Sequence, residues 1–318
     1  MKRLFLISTC FLIIGAIIAF IGFALAGCSF SKMEKMKKES YDISEHFSFI
    51  DIDSYDLSAD IIIKSHKEAT TKLELYYPER DNISYFVSDG KLTVTNEKTS
   101  SWISNIFNFG NASTITLYLP EREYERLNAK SSSGDVTISD LTLKNLSLHL
   151  SGGDVNLDKV TAYDTLTATT SSGDYHINLL NAGSIHIKSS SGEMEIENST
   201  FGEFELITSS GDVELSDLIT HGSGKIDTSS GDISIERTIL ASRLTVESSS
   251  GDVEFSGLDA SEIYVNTSSG DVSGSVLSAK NFVADTSSGE INLPSSDTAK
   301  GIFKIKTSSG DIKIKIKN

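Results

Sequence analysis

The chain has 318 residues, of which 38% are hydrophobic, and carries 28 Lys and Arg against 44 Asp and Glu for a formal net charge of −16. The apolar content suffices for a core and excludes disorder as the default. The acidic balance excludes nucleic acid as a partner, because binding phosphates requires a surplus of cationic side chains that displaces counterions. Only two cysteines occur, Cys10 and Cys28, so nothing beyond residue 28 can form a disulfide or a thiolate metal site.

Met1-Lys2-Arg3 is followed by 28 uncharged residues, Leu4 to Ser31, where a bilayer span needs ~20. Residues 1–28 are therefore expected to be a transmembrane or signal helix that holds the chain at a membrane. Within them Leu25-Ala26-Gly27-Cys28 resembles a lipobox, in which the cysteine is lipidated after cleavage before it. The apolar run is longer than the roughly 7–15 residues of a signal-peptide core, so a transmembrane anchor and a lipidated Cys28 both stand. Lys32, Lys35, Lys37 and Lys38 outnumber Lys2 and Arg3, contrary to a simple positive-inside count. Placement of the bulk of the chain outside the cell membrane is an expectation from the anchor alone.

Residues 29–47 are polar, mixed in charge and expected to be a linker. From 48 to 130, alternating apolar residues such as Ile50, Ile52, Ile61, Ile63, Leu92, Val94, Ile115, Leu117 and Leu119 predict strands. This region is read as degenerate β coils, interrupted at 100–112 by an insertion rich in aromatic residues (Trp102, Phe107, Phe109) that either caps the first coils or exposes an apolar patch.

From 131 to 318 a Ser-Ser-Gly-Asp turn recurs ten times, with its glycine at Gly134, Gly153, Gly173, Gly192, Gly211, Gly231, Gly251, Gly270, Gly289 and Gly310. An apolar or aromatic residue stands two positions after every glycine and an apolar one five positions before; at four after and seven before, nine of ten are apolar. Each repeat thus supplies inward residues on two short strands flanking one turn.

A unit of about 20 residues cannot fold alone: some five inward side chains at ~1.5–3 kcal/mol each oppose ~1.5 kcal/mol of ordering entropy per residue. Stacked coils pair each strand with those above and below and bury one continuous core. The predicted fold is all-β, a single-stranded parallel β-helix (β-solenoid) of about 20-residue coils. At ~4.8 Å per coil, ten coils make a rod of roughly 50 Å. The alternation Ile312-Lys313-Ile314-Lys315-Ile316-Lys317 is expected to place lysines on the exposed last edge.

Glycine at the turn is expected to supply positive φ, and Ser and Asp to accept bonds from turn amides. A second reading concerns the acids Asp135, Asp154, Asp174, Glu193, Asp212, Asp232, Asp252, Asp271, Glu290 and Asp311, which would stack in a column. Neighbouring carboxylates there would repel by ~1 kcal/mol per pair, which divalent cations such as Ca²⁺ would offset. The column lacks the Gly-Gly-x-Gly-x-Asp pattern of calcium-binding β-rolls. His46, His66, His149, His176, His186 and His221 share no repeat position or metal spacing, and no catalytic residue or cofactor is assigned.

The apolar N-terminus, the strand end Leu117-Tyr118-Leu119-Pro120 and the repeated Ser-Ser-Gly-Asp-Val units together resemble the LiaG-like family of bacterial cell-envelope proteins classed as candidate adhesins. The resemblance covers roughly residues 48–318 and implies an envelope β-solenoid with a role in adhesion or stress response. On these grounds the expected function is a non-enzymatic, membrane-anchored surface protein that presents an acidic repetitive face to a protein or envelope-polymer partner. The alternative is a self-assembling scaffold like bactofilins; an envelope polysaccharide-processing enzyme would need one coil with clustered, perturbed carboxylates.

Overall fold

The computed structural model describes residues 35–97, 113–298 and 300–317. The anchor segment 1–28, with Cys28, and the aromatic insertion 100–112 lie outside the described residues. Among the described residues, no helix is long and apolar enough to cross a membrane.

Nine of the ten turns join a longer strand to a shorter one, as in Thr142–Leu150 followed by Val155–Asp158, or Thr161–Thr169 followed by Tyr175–Asn178; after Gly251 the short and long strands run together as Val253–Asn266. Short strands pair with short and long with long, in parallel. Val136, Val155, Tyr175, Met194, Val213 and Ile233 stand in one unbroken register, and Leu127, Leu146, Leu166, Ile185 and Phe204 in another. Two sheets therefore wrap one core, as the repeat predicts. The long strand carries a register shift between Leu143 and Asn145, between Ala162 and Thr165, and between Leu240 and Arg243. A bulge at this point bends the strand and lets a coil of two strands close.

Two repeats break the inward apolar pattern, at Gly224 and Gly274. The Phe204 ring, one coil earlier and in register, fills the volume that a side chain at 224 would need. At Gly274 the close neighbour is the Phe255 backbone, while the Phe303 ring reaches both Phe255 and Phe282 at 5.9 Å. Large and small side chains in adjacent coils thus keep the packing dense.

The turn glycines require correction. Of the ten, only Gly153 has a positive φ, +97°. The requirement for glycine comes from stacking: a Cβ on Gly173, Gly192, Gly211, Gly231, Gly251 or Gly270 would overlap the carbonyl oxygen of the turn glycine in the preceding coil. Backbone approaches backbone there, and a methyl group has no space. Positive φ sits at a second corner six residues later, at Asp140, Lys159, Leu179, Asn198, Asp217 and Arg237, with Gly257 next in the file. This corner was not read from the sequence, because six of its seven occupants are not glycine.

Stacking order departs from chain order at both ends. Near the start, Phe49–Ser54 lies between Lys91–Glu97 and Glu123–Ser131, and Asp60–His66 lies between Thr114–Pro120 and Val136–Ser139. Residues 48–130 therefore give two true coils, the second outside the first. Antiparallel strands complete this end: Asn82–Ser88 on Lys91–Glu97, Thr71–Pro78 on Thr114–Pro120, and Met36–Ile43 on Thr71–Pro78. The last of these falls in the expected linker 29–47. It is held as a strand because Ile43 is buried, Tyr41 packs on Tyr85 at 4.8 Å, and Glu39 accepts the Tyr77 hydroxyl proton.

At the other end, Ile312–Ile316 is not the final edge. It pairs with Val272–Val276 on one side and with Ile291–Asn292 on the other, and Ile302–Ser309 likewise lies between Val253–Asn266 and Asn281–Ser288. The last coil in sequence is thus next to last in space. Because each coil offers the same ladder, it fits the inner slot as well as the outer, and there it covers its core residues on both sides.

The coil spacing makes two predictions. Gly211→Ala is expected to cost about 3 kcal/mol through overpacking in thermal or denaturant unfolding, while Gly152→Ala, whose nearest neighbour would be the Ser172 Oγ at 3.4 Å, changes stability by less than about 0.5 kcal/mol. Leu179→Asn is expected to raise stability by about 1 kcal/mol, since Leu179 holds φ at +54° and asparagine tolerates that region far better.

Candidate functional surface

The acids after the turn glycines form a file, as the repeat predicts, and hydrogen bonds link its members. The amides of Asp154, Asp174 and Glu193 donate to the Oδ1 of Asp135, Asp154 and Asp174, at 2.8, 2.9 and 2.8 Å. Those of Asp232, Asp252, Asp271, Asp311 and Glu290 donate in the same way to Asp212, Asp232, Asp252, Asp271 and Asp311. The Asp135 amide extends the file to Asp60 in the first coil. In these mostly exposed positions each such bond contributes about 1 kcal/mol, comparable to the ~1 kcal/mol of repulsion between neighbouring carboxylates in water. Backbone donors therefore offset the repulsion within the file.

The two glutamates do not act as acceptors in this file. No such bond joins the Asp212 amide to Glu193, and Glu290 ends the file, so neither glutamate receives an amide from the next coil. At Glu193, burial and then the charges of Glu214, Asp174, Asp212 and Glu195 push the carboxyl above its ordinary value. Asp311, which accepts the Glu290 amide and pairs with Lys313 at 2.7 Å, is held below the usual aspartate range. Among the described residues, no three His, Cys, Asp or Glu side chains form a group able to hold a metal ion.

A second file secures the turns. The hydroxyls of Ser131, Thr170, Ser189, Thr208, Thr228, Ser248 and Thr267 accept the amide proton of the glycine three residues on. Ser or Thr stands at this position in nine of ten repeats, a signal present in the sequence and as regular as the serine next to the glycine. The exception is Leu150, and its glycine is Gly153, the one with positive φ.

Outward side chains on the short-strand sheet also stack by position. His176, Glu195 and Glu214 share one column, and Asn178, Glu197 and Ser216 another, with Glu236 and Glu254 continuing the acidic face. His176 contacts Glu195 at 2.9 Å and His186 contacts Glu205 at 3.6 Å, both in solvent. Among the described residues, a lysine lies inside. Lys280 is buried, with Nζ 2.6 Å from the Ala260 carbonyl oxygen and 2.7 Å from Asp259, and closes the core where the chain leaves its coil for the outer one.

With the coil geometry established, comparison places the chain among known proteins. The family model described as Toastrack DUF4097 matches residues 47–256 and 236–316. The chain belongs to the Toastrack DUF4097 family. Solved structures similar to this Toastrack chain include a candidate adhesin from Bacteroides fragilis, 16% identical with a TM-score of 0.41. A candidate adhesin and a candidate lipid-binding protein, both from Parabacteroides distasonis, are 12% and 17% identical with TM-scores of 0.44 and 0.48. Each comparison covers 88% of this chain and 97% of the other. No curated protein matches the Toastrack chain.

Two outcomes test the acid file. Asp232→Asn keeps the Oδ1 acceptor and is expected to unfold within about 0.5 kcal/mol of the parent, whereas Asp232→Ala loses the bond and about 1 kcal/mol. Glu193 binds its proton more tightly folded than unfolded, so its charge costs stability as pH rises through the carboxylate range, a cost absent well below the unfolded value. Glu193→Gln should therefore raise the unfolding temperature at pH 7 and leave it nearly unchanged at pH 3.

Proposed function

We propose that the chain is a non-enzymatic protein of the bacterial cell surface, tethered through residues 1–28 by a transmembrane segment or a lipidated Cys28. It presents its solenoid as a repeated anionic contact face to a protein or polymer of the envelope. The observation that carries this reading is the translational order of the outward side chains. The acid file and the glutamates at 195, 197, 214, 236 and 254 recur one coil apart along the rod. Such an arrangement suits many weak equivalent contacts, whose combined strength comes from effective concentration. Catalysis needs unlike groups converging on one point, and this file instead spreads like groups along a line.

Two measurements test the proposal. Protease added to intact cells should remove the solenoid while an intracellular marker survives; a fully protected chain overturns the surface placement. Retention of envelope material by the full chain should be lost at high salt and weakened at least tenfold by combined Glu→Gln changes at 195, 197, 214 and 254. Retention unaffected by both overturns the anionic face as the contact surface.

A further inference from the structure

Charge is divided unevenly along the rod. Residues 131–279 contain 23 Asp and Glu and 6 Lys and Arg, while residues 280–318 contain 4 and 7. The surplus cations reach the outward face of the long-strand sheet at a particular place. On Ile302–Ser309, Phe303 and Ile305 are buried, so Lys304 and Lys306 both point outward, ~7 Å apart along the strand. In the neighbouring strand Tyr264 lies beside Lys304, and Asn266 beside Lys306. One strand further, Thr245 and Glu247 complete the same columns.

Arg243 is already engaged there. Its guanidinium lies 4.9 Å from the Tyr264 ring centroid and is held by Glu262 at 2.6 Å, which fixes the ring and offsets the charge. Lys304 and Lys306 have no ion-pair partner among the described residues. These side chains line an open depression of about 420 Å³, within the range of small-ligand sites.

We propose that this depression binds an acidic saccharide, with Lys304 and Lys306 receiving the acidic group. Tyr264, Asn266, Thr245 and Glu247 then face the sugar hydroxyls, and the fixed Tyr264 ring supplies an apolar edge for the sugar face. The open shape fits a segment of polymer lying across the strands. Asp285, in register with Lys306 on the outer strand, and Glu247, in the same column two strands away, disfavour a densely charged chain such as polyphosphate, whose successive charges would meet them; one acid per sugar avoids that conflict. The site lies on the opposite sheet from the anionic face and does not depend on it.

The test is calorimetric titration of the full chain, held in a detergent without a sugar headgroup, against a galacturonate oligosaccharide, the matching neutral galactose oligosaccharide and polyphosphate. Expected are binding of the acidic sugar alone and at least tenfold weakening by Lys304→Ala/Lys306→Ala and by Tyr264→Ala. Glu195→Gln on the other sheet should leave it unchanged, and Tyr264→Phe, which keeps the ring, should retain most of the affinity if Tyr264→Ala perturbs the fold by circular dichroism. Absence of binding, equal binding of the neutral sugar, or equal binding of polyphosphate that ignores position 264 overturns the proposal. None of these results alters the protease test of surface placement.

Discussion

The closest constraint in the molecule is the approach of one turn backbone to the next. In the regular stack, each turn glycine sits against the carbonyl oxygen of the glycine one coil before it, at a distance that leaves no volume for a Cβ. That contact holds neighbouring turns at the separation of paired strands, so the short strands meet without slip and the Oδ1 of each aspartate lies within reach of the next acid's amide. Pairing, turn and acid file are therefore one geometry, set by the smallest side chain available. The hydroxyl three residues before the glycine completes it by receiving the glycine amide, a donor that would otherwise go unsatisfied in the buried turn.

Much of this was legible because translation along a rod leaves a plain trace in one dimension. A column of like residues in space is a residue type repeated every 19 to 21 positions in sequence, and the inward columns could be named from spacing alone. Features without a constant residue type were harder to see. The left-handed corner tolerates Asp, Lys, Leu, Asn and Arg in successive coils, because its constraint acts on backbone angle and its side chains point to solvent. The function of the aspartates was half legible: their alignment followed from the period, but the donors they satisfy are backbone amides, which have no letter in the sequence. The exceptions differ in the same respect, since neither glutamate accepts an amide from a neighbouring coil.

The basic depression shows the converse limit. Arg243, Tyr264, Lys304 and Lys306 are brought together by the skipped coil: Tyr264 and Lys304 are paired neighbours, although residues 281–292 form a complete coil between them in sequence. A reading that stacks coils in chain order sets Val283 beside Tyr264 and separates the lysines from the ring. The site is a product of stacking order, which the repeat leaves open.

That order has an energetic reason. In a linear array each unit is stabilised by its own formation and by its two interfaces, and a terminal unit has only one. Here the coil of Ile302–Ser309 and Ile312–Ile316 has two interfaces, with Val272–Val276 and Ile291–Asn292 on the two sides of its short strand. The outermost place passes to the coil of Asn281–Ser288 and Ile291–Asn292, whose short strand has only two residues and so leaves little open ladder. The same exchange at the other end places Phe49–Ser54 inside Lys91–Glu97. The buried Lys280 and the part-exposed Asp259 meet at the point where the chain leaves its regular path for this detour, and removing the carboxylate would leave the lysine charge buried without its ion-pair partner. A polar contact otherwise out of place in an apolar column thus helps decide which coil lies outermost, and with it which side chains meet at the depression.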